Sequence, residues 1–208
     1  MQQDINLLKM KGSKKMDYVK NIIEVFNQAT QNEIAEGLNW YPDAKSGAMD
    51  IADKTELPLH IVVGVISALS PTNNWNQNLK DADLFCSTFI TGGYFEDVKA
   101  STYKPMWEKA WKILTSASDY ENTATILKGP KITDFYRCIQ GENICVIDGH
   151  AWCIAHNDRR VLQEVPYIGK KHRIELQEAY KIAGKKLGFT AYEMQAITWV
   201  TWKRIHNV

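Results

Sequence analysis

The sequence predicts an all-α protein, and three observations carry that prediction. Apolar residues recur every three or four positions, as at Val19, Ile22, Ile23 and Phe26, which is the spacing of an amphipathic helix. The alternation of apolar and polar residues that is typical of strands is nearly absent. Turn-forming residues also divide the chain into helix-sized pieces. Together these patterns predict about eight to ten helices joined by short links.

Glycine and proline mark the predicted breaks between helices. The breaks fall at Tyr41-Pro42, Leu57-Pro58, Ser70-Pro71, Thr91-Gly92-Gly93, Gly129-Pro130, Gly141, Val165-Pro166 and Gly188. A capping signal is predicted at Thr30, before Gln31-Asn32-Glu33, and a capping box is predicted where Thr190 precedes Glu193 by three residues. The stretch from Thr91 to Pro105 is predicted to be irregular because it combines glycines, a proline and mixed charge.

Length and composition predict one domain. A chain of 208 residues with 45% hydrophobic content can bury one substantial core, so we expect a single helical domain over residues 1–208. Met1 to Met16 lacks the apolar run of about 7–15 residues found in secretion signals. No window reaches the roughly 18 uninterrupted apolar residues of a membrane helix. We therefore expect a soluble, cytoplasmic protein without a membrane partner.

The four cysteines do not form a metal-binding motif. They are widely spaced, without a CxxC pair, at Cys86, Cys138, Cys145 and Cys153. This spacing argues against a zinc knuckle or an iron–sulfur cluster, and we expect reduced, buried thiols and neither a metal nor a cofactor.

Charge is distributed unevenly along the chain. Residues 151–208 carry ten Lys or Arg against five Asp or Glu, whereas residues 1–150 carry 15 against 19. The basic C-terminal quarter is consistent with a surface that faces phosphates, and equally with a solvated helix face of mixed charge.

The segment from Leu127 to Ala155 is the most informative part of the sequence. The Gly129-Pro130 turn precedes a helix that starts near Lys131, and a glycine turn at such a place exposes N–H groups that can hold a phosphate. After the apolar run from Ile144 to Ile147, Asp148 stands at the start of another helix. Asp148 is thus predicted to be rigidly held, either as a simple N-cap or as a functional carboxylate.

This segment resembles the signature of the helix-hairpin-helix DNA glycosylases. Leu127, Gly129 and Lys131 are followed, 17 residues after the lysine, by the string Asp148-x-His150-x-Trp152, which is close to the 8-oxoguanine branch. The resemblance implies a two-lobed helical fold in which the C-terminal helix packs back on the N-terminal lobe. It also implies a hairpin that grips DNA, a flipped base between the lobes, and Asp148 as the carboxylate that assists N-glycosidic cleavage. In bifunctional members the residue matching Lys131 is a nucleophile.

An upstream turn extends the resemblance. The run from Ile66 to Thr72, followed by Asn73, Asn74 and Trp75, is similar to the turn that lines the base pocket in this family. The residues expected to contact the substrate are Asn73, Asn74, Trp75, His150 and Gln195. The residues expected to contact DNA are Lys128, Gly129, Thr133, Lys170, Lys171 and Arg173.

Several of these assignments have a structural alternative. Asn73 and Asn74 also fit a simple Asx turn, with Trp75 in the core, and the basic run that begins at Lys170 also fits a solvated helix start. Lys131 could form a Schiff base only with a lowered pKa, which burial beside Lys128 would give.

The hairpin departs from the family pattern. The usual Leu-Pro-Gly-x-Gly-x-Lys is shortened to the five residues from Leu127 to Lys131, and Pro130 removes one N–H donor. Phage enzymes that hypermodify thymine are thought to descend from the same fold, so a base-modifying transferase is an alternative function. A non-catalytic DNA-binding module is another. The leading expectation is a monomeric hydrolase in DNA repair or modification, in the cytoplasm of a bacterium or of a phage-infected cell, with DNA as its partner.

Overall fold

The computed structural model describes residues 17–208, and the all-α prediction is confirmed for this part of the chain. The helices are α1 (17–26), α2 (Gln31–Thr55), α3 (Leu59–Leu69), α4 (Trp75–Ile90), α5 (Lys104–Ser116), α6 (Tyr120–Leu127), α7 (Pro130–Gln140), α8 (Gly149–His156), α9 (Lys170–Leu187) and α10 (Ala191–His206). Short 3-10 turns occupy Phe95–Asp97 and Leu162–Glu164, and no strand occurs within residues 17–208. The expectation about an export signal in Met1 to Met16 lies outside the described residues.

The predicted break at Tyr41-Pro42 is wrong, because α2 continues through Pro42. A proline inside a helix loses one hydrogen bond and costs about 3 kcal/mol. Burial of the residues on both sides offsets that cost: Tyr41 is 6% exposed and Ala44 is 1% exposed. The other predicted breaks all fall where one helix ends or the next begins, and Gly141 and Gly188 end α7 and α9 with φ of 97° and 85°.

The chain forms two compact units. The terminal unit spans Met1–Tyr41 and Asn143–Val208, of which residues 1–16 are not described, and the central unit spans Pro42–Glu142. The terminal unit therefore contains α1, the first part of α2, and α8 to α10. The central unit contains the rest of α2 and α3 to α7.

In the terminal unit, α10 packs against α8 and α9 and lies against the start of α2. A Cβ atom on Gly37 would lie 2.6 Å from the backbone of Ile197, so only glycine permits this approach. The guanidinium of Arg204 bonds to Glu33 at 2.5 Å. The predicted capping box of Thr190 with Glu193 is confirmed, and the capping signal at Thr30 forms a capping box with Glu33.

In the central unit, α3 is the buried helix against which α4, α5, α6 and α7 pack. Every residue of α3 from Ile61 to Leu69 is buried. The helix is close to α6, since a Cβ atom on Gly64 would lie 2.5 Å from the Thr123 methyl carbon. Even this helix is too short to cross a bilayer, and the same holds, by length or by polarity, for the other helices that the structure describes.

Candidate functional site

Asp148 is the N-cap residue of α8, as predicted. Its Oδ1 accepts a hydrogen bond of 2.9 Å from the Ala151 N–H. The residues before it, Cys145 to Ile147, are buried, whereas Asp148 is partly exposed. A carboxylate is therefore fixed at a helix start with part of its surface accessible to solvent.

Side chains of α9 hold the backbone on both sides of Asp148. Arg173 donates from Nη1 to the Ile147 carbonyl at 2.7 Å, and Gln177 donates from Nε2 to the Cys145 carbonyl at 3.0 Å. In the first turn of α8, the Ala151 carbonyl accepts from the Tyr180 hydroxyl at 3.2 Å. Burial raises the pKa of Tyr180 well above its ordinary value, so this hydroxyl stays a donor.

These supporting residues were only partly found in the sequence. Arg173 was assigned to DNA contact, but its Nη1 is bonded to the chain's own backbone. Gln177 and Tyr180 were missed, although a signal for them exists: Arg173, Gln177 and Tyr180 are spaced by four and three residues and so share one face of α9.

The start of α8 is also in contact with the link between α8 and α9. A Cβ atom on Gly149 would lie 2.6 Å from Leu162 Cδ2 and 3.5 Å from Val165 Cγ2. The next residue, His150, is partly exposed. The link therefore lies beside Asp148 within the terminal unit.

In the central unit, the turn between α6 and α7 is tighter than the sequence suggested. The Gly129 N–H bonds to the Leu127 carbonyl only two residues back, at 2.6 Å. Lys128, between them, has φ 57° and ψ −43°, a γ-turn conformation in the positive-φ region that favours glycine. Gly129 is the N-cap of α7 and has no side chain to cap it, and Pro130 is the first helical residue.

The lysines at this turn differ in their exposure. Lys131 is exposed, so its amine lacks the burial that a Schiff-base role would require, and its role as a nucleophile stays a prediction. The partly buried lysine at this turn is Lys109, on α5, which donates from Nζ to the Leu127 carbonyl at 2.5 Å. Burial lowers the pKa of Lys109, and the charge of Lys128 lowers it further. Lys109 was missed because nothing local in α5 marks it.

Thr133, which was assigned to DNA contact, lies one turn into α7. Its N–H bonds to the Gly129 carbonyl at 2.9 Å and closes the first turn of the helix. Lys128 is exposed and Gly129 is partly exposed. The exposed groups at this turn are thus two lysine side chains and the start of a helix.

The turn that was expected to line a base pocket is fixed by a buried carboxylate. Asp81 is 4% exposed and accepts from Asn73 Nδ2 at 2.8 Å, Gln77 Nε2 at 2.7 Å and the Ser101 N–H at 2.7 Å. Asn74 caps α4 through a bond of 2.9 Å from the Gln77 N–H. Trp75 meets the ring of Phe135 edge to face, with centroids 6.3 Å apart. Asn73 and Asn74 thus have structural partners, and their contact with a substrate stays a prediction.

The remaining predicted residues lie in the terminal unit. Gln195 is 7% exposed, and its Oε1 accepts from the Tyr41 hydroxyl at 3.3 Å. Lys170 and Lys171 are exposed in the first turn of α9. The terminal unit therefore contains Asp148, His150, Gln195 and the basic run. The central unit contains Asn73 to Trp75, the turn residues and Lys131.

The cysteines are free and buried, as expected. All four are reduced and buried. Burial raises the pKa of Cys86 to about 12 and also raises that of Cys153. Within residues 17–208, no three His, Cys, Asp or Glu side chains are arranged to hold a metal ion.

Fold and site define a helical protein of two units with a capped, accessible aspartate. The chain belongs to a family of unknown function, DUF7178, which matches residues 4–206. No curated protein and no solved structure matches the chain.

Proposed function

We propose that this protein is a DNA-base-directed enzyme that hydrolyses the N-glycosidic bond of a flipped base, with Asp148 as the catalytic carboxylate. The observation that carries the proposal is the state of Asp148: partly exposed and held in one orientation by the Ala151 N–H at 2.9 Å. The two-lobed helix-hairpin-helix glycosylase fold belongs to the same proposal.

A fixed carboxylate suits this reaction. As the bond from C1′ to the base nitrogen breaks, positive charge builds on the sugar, and an oriented carboxylate stabilises it without reorganising. Water supplies the oxygen that bonds to C1′, and its two protons are shared between the new sugar hydroxyl and the released base. Arg173, Gln177 and Tyr180 support the reaction only by positioning the backbone around Asp148.

The turn between α6 and α7 is the proposed contact with the DNA backbone. Lys128 and Lys131 are exposed there, and Gly129 leaves the first N–H groups of α7 uncovered by a capping side chain. Both features favour a phosphate. Lys131 serves in this role, because its side chain is exposed at the start of α7, beside N–H groups that no side chain caps.

The test is incubation of the pure protein with normal, damaged and hypermodified DNA, with Asp148→Asn, Asp148→Ala and Lys131→Ala as variants. Asn is as good an N-cap as Asp, so Asp148→Asn should keep the fold and lower base release by about 10²–10³-fold. Asp148→Ala should lose activity together with about 1 kcal/mol of stability.

Two results would contradict the proposal. One is wild-type protein that releases no base from any of these substrates. The other is full activity in Asp148→Asn. Borohydride trapping that requires Lys131 would instead add a lyase step and overturn the phosphate role of that residue.

The shortened hairpin favours a second candidate, a transferase that attaches a small molecule to an activated methyl group of thymine in DNA. Pro130 removes an N–H that a longer hairpin would offer, which weakens a grip on duplex DNA while leaving Asp148 in place. Nucleoside mass spectrometry separates the two reactions: hydrolysis gives abasic sites, and transfer gives a heavier base. A non-catalytic module would give neither product while DNA binding persists.

A further inference from the structure

The link between α8 and α9 exposes large apolar side chains next to lysines. Tyr167 is 94% exposed, and Ile174, in α9, is 55% exposed. Lys170 and Lys171 are exposed between them. We call these four residues, Tyr167, Lys170, Lys171 and Ile174, the Tyr167 surface.

The four residues lie close together in the chain around the start of α9. Ile174 lies four residues after Lys170 and three after Lys171, so the three share a face of α9. The Tyr167 ring lies over the helix start, since its Cε1 is 3.9 Å from where a Cβ atom on Gly169 would be. An exposed ring therefore lies close to the start of α9, where Lys170 and Lys171 are also exposed.

The link that presents the ring is anchored at several points. Leu162 lies against Gly149 at the start of α8. Arg160 bonds to Asp158 at 2.8 Å and lies over the Trp152 ring at 5.1 Å. Arg159 donates to the His206 carbonyl at 3.0 Å. These contacts anchor residues 158–162, the first part of the link that leads to Tyr167.

The charge around the ring favours an anionic partner. Residues 158–174 contain five Lys or Arg against two Asp or Glu. Of the two acids, Asp158 is paired with Arg160, and Glu164 is exposed. A flat aromatic ring beside cations is the combination that binds unpaired bases and their phosphates.

We propose that the Tyr167 surface binds single-stranded DNA, with a base stacked on Tyr167 and the adjoining phosphates on Lys170 and Lys171. This inference rests on the proposed function and specifies its substrate as an unpaired strand. A duplex does not offer a base face to an external ring, because both faces of each base are already stacked on neighbours. The shortened turn of the central unit agrees with a substrate that needs no duplex grip.

Fluorescence anisotropy with a labelled oligodeoxythymidine strand and a duplex of equal length tests the inference. We expect Tyr167→Ala to weaken single-strand binding about tenfold. Tyr167→Phe keeps the ring and should bind like the wild type. Tyr94→Ala is the matched control, because Tyr94 is also highly exposed, at 72%, but is followed by Glu96 and Asp97.

The salt dependence gives a second readout. Replacing Lys170 and Lys171 together by Ala should reduce the slope of log affinity against log salt by about 1.4, for two phosphate contacts on a single strand. Far-UV circular dichroism checks that each variant is folded, which the exposure of these side chains favours.

Three results would overturn the inference: no single-strand binding by the wild type, unchanged binding by Tyr167→Ala, or an equal loss on single strand and duplex. Failure of the Tyr167 surface can be distinguished from failure of the proposed catalytic function. Base release that needs Asp148 but is indifferent to Tyr167 would refute only this surface. Binding that needs Tyr167 without base release on any substrate would refute only the catalytic proposal.

Discussion

The starts of α8 and α7 show two different ways of beginning a helix. At α8, the side chain of Asp148 caps the helix, and residues of α9 hold the preceding backbone. At α7, Gly129 supplies no capping side chain, and Lys128 before it has positive φ. The first start fixes a carboxylate, and the second exposes backbone and lysines.

The difference separates two kinds of chemistry. A reaction that needs a charge at a defined point requires support from other side chains, and the α8 start has it. Phosphate binding needs only accessible N–H groups and nearby cations, which the α7 start offers. If this comparison is right, substitutions that remove support should be costly near Asp148, and a substitution that relieves backbone strain should be favourable at Lys128.

The largest effect is expected for Arg173→Met. The variant leaves the carbonyl of Ile147, a residue that is 1% exposed, without its Arg173 donor, and an unsatisfied buried acceptor costs about 1–3 kcal/mol. Urea unfolding measures the loss. Lys170→Met removes the same charge from an exposed position and should change stability by no more than about 0.5 kcal/mol. An equal loss in the two variants would show that charge, not the hydrogen bond, matters.

A smaller effect of opposite sign is expected for Lys128→Gly. Glycine adopts positive φ without steric cost, so the substitution relieves about 1–2 kcal/mol of strain. It also makes the unfolded chain more flexible, which takes back about 0.5–1 kcal/mol. Thermal unfolding should therefore show a net gain of no more than about 1.5 kcal/mol.

Lys128→Ala is the control for that gain. This substitution removes the charge but keeps a Cβ atom at positive φ. The Lys128→Ala variant should therefore lack the gain in stability that is expected for Lys128→Gly. A gain of equal size in both variants would point to relief of repulsion with Lys109, whose lowered pKa is partly due to Lys128.

Much of the fold could be predicted from the sequence because its signals are local. Helical spacing, the two capping boxes and the glycine ends of α7 and α9 all act within a few residues. The break predicted at Pro42 was wrong because burial of Tyr41 and Ala44, which no local rule includes, stabilises the continuous helix.

The candidate site was less predictable than the fold. Asp148 could be recognised at its helix start, because an N-cap is a local feature. The groups that hold it come from α9, and Lys109, which bonds to the turn after α6, comes from α5. The sequence alone does not say which turns these distant side chains meet, so the bonds of Arg173 and Lys109 to the backbone could not be predicted.

The smallest effect is expected at a third helix start, that of α2, where Arg204 bonds to Glu33 of the capping box. The hydrogen bond from Arg204 is the main cause that holds the pKa of Glu33 below its ordinary 4.5, and burial opposes it. A carboxyl whose pKa is lowered on folding stabilises the protein above its unfolded pKa, and that contribution is lost as the pH falls through the folded value. The contribution of this pair should therefore be complete at neutral pH and decline below about 4.5.

A double-mutant cycle with Glu33→Gln and Arg204→Met measures the contribution directly. The Arg204 side chain is 50% exposed, so solvent screens the pair, and we expect a coupling free energy of about 0.5–1 kcal/mol at neutral pH. At a pH well below 4.5 the coupling should approach zero, because protonated Glu33 no longer attracts the guanidinium. A coupling that does not change with pH would contradict this prediction. It would mean that the two side chains interact through packing and the capping bonds to Thr30, and not through the charge of Glu33.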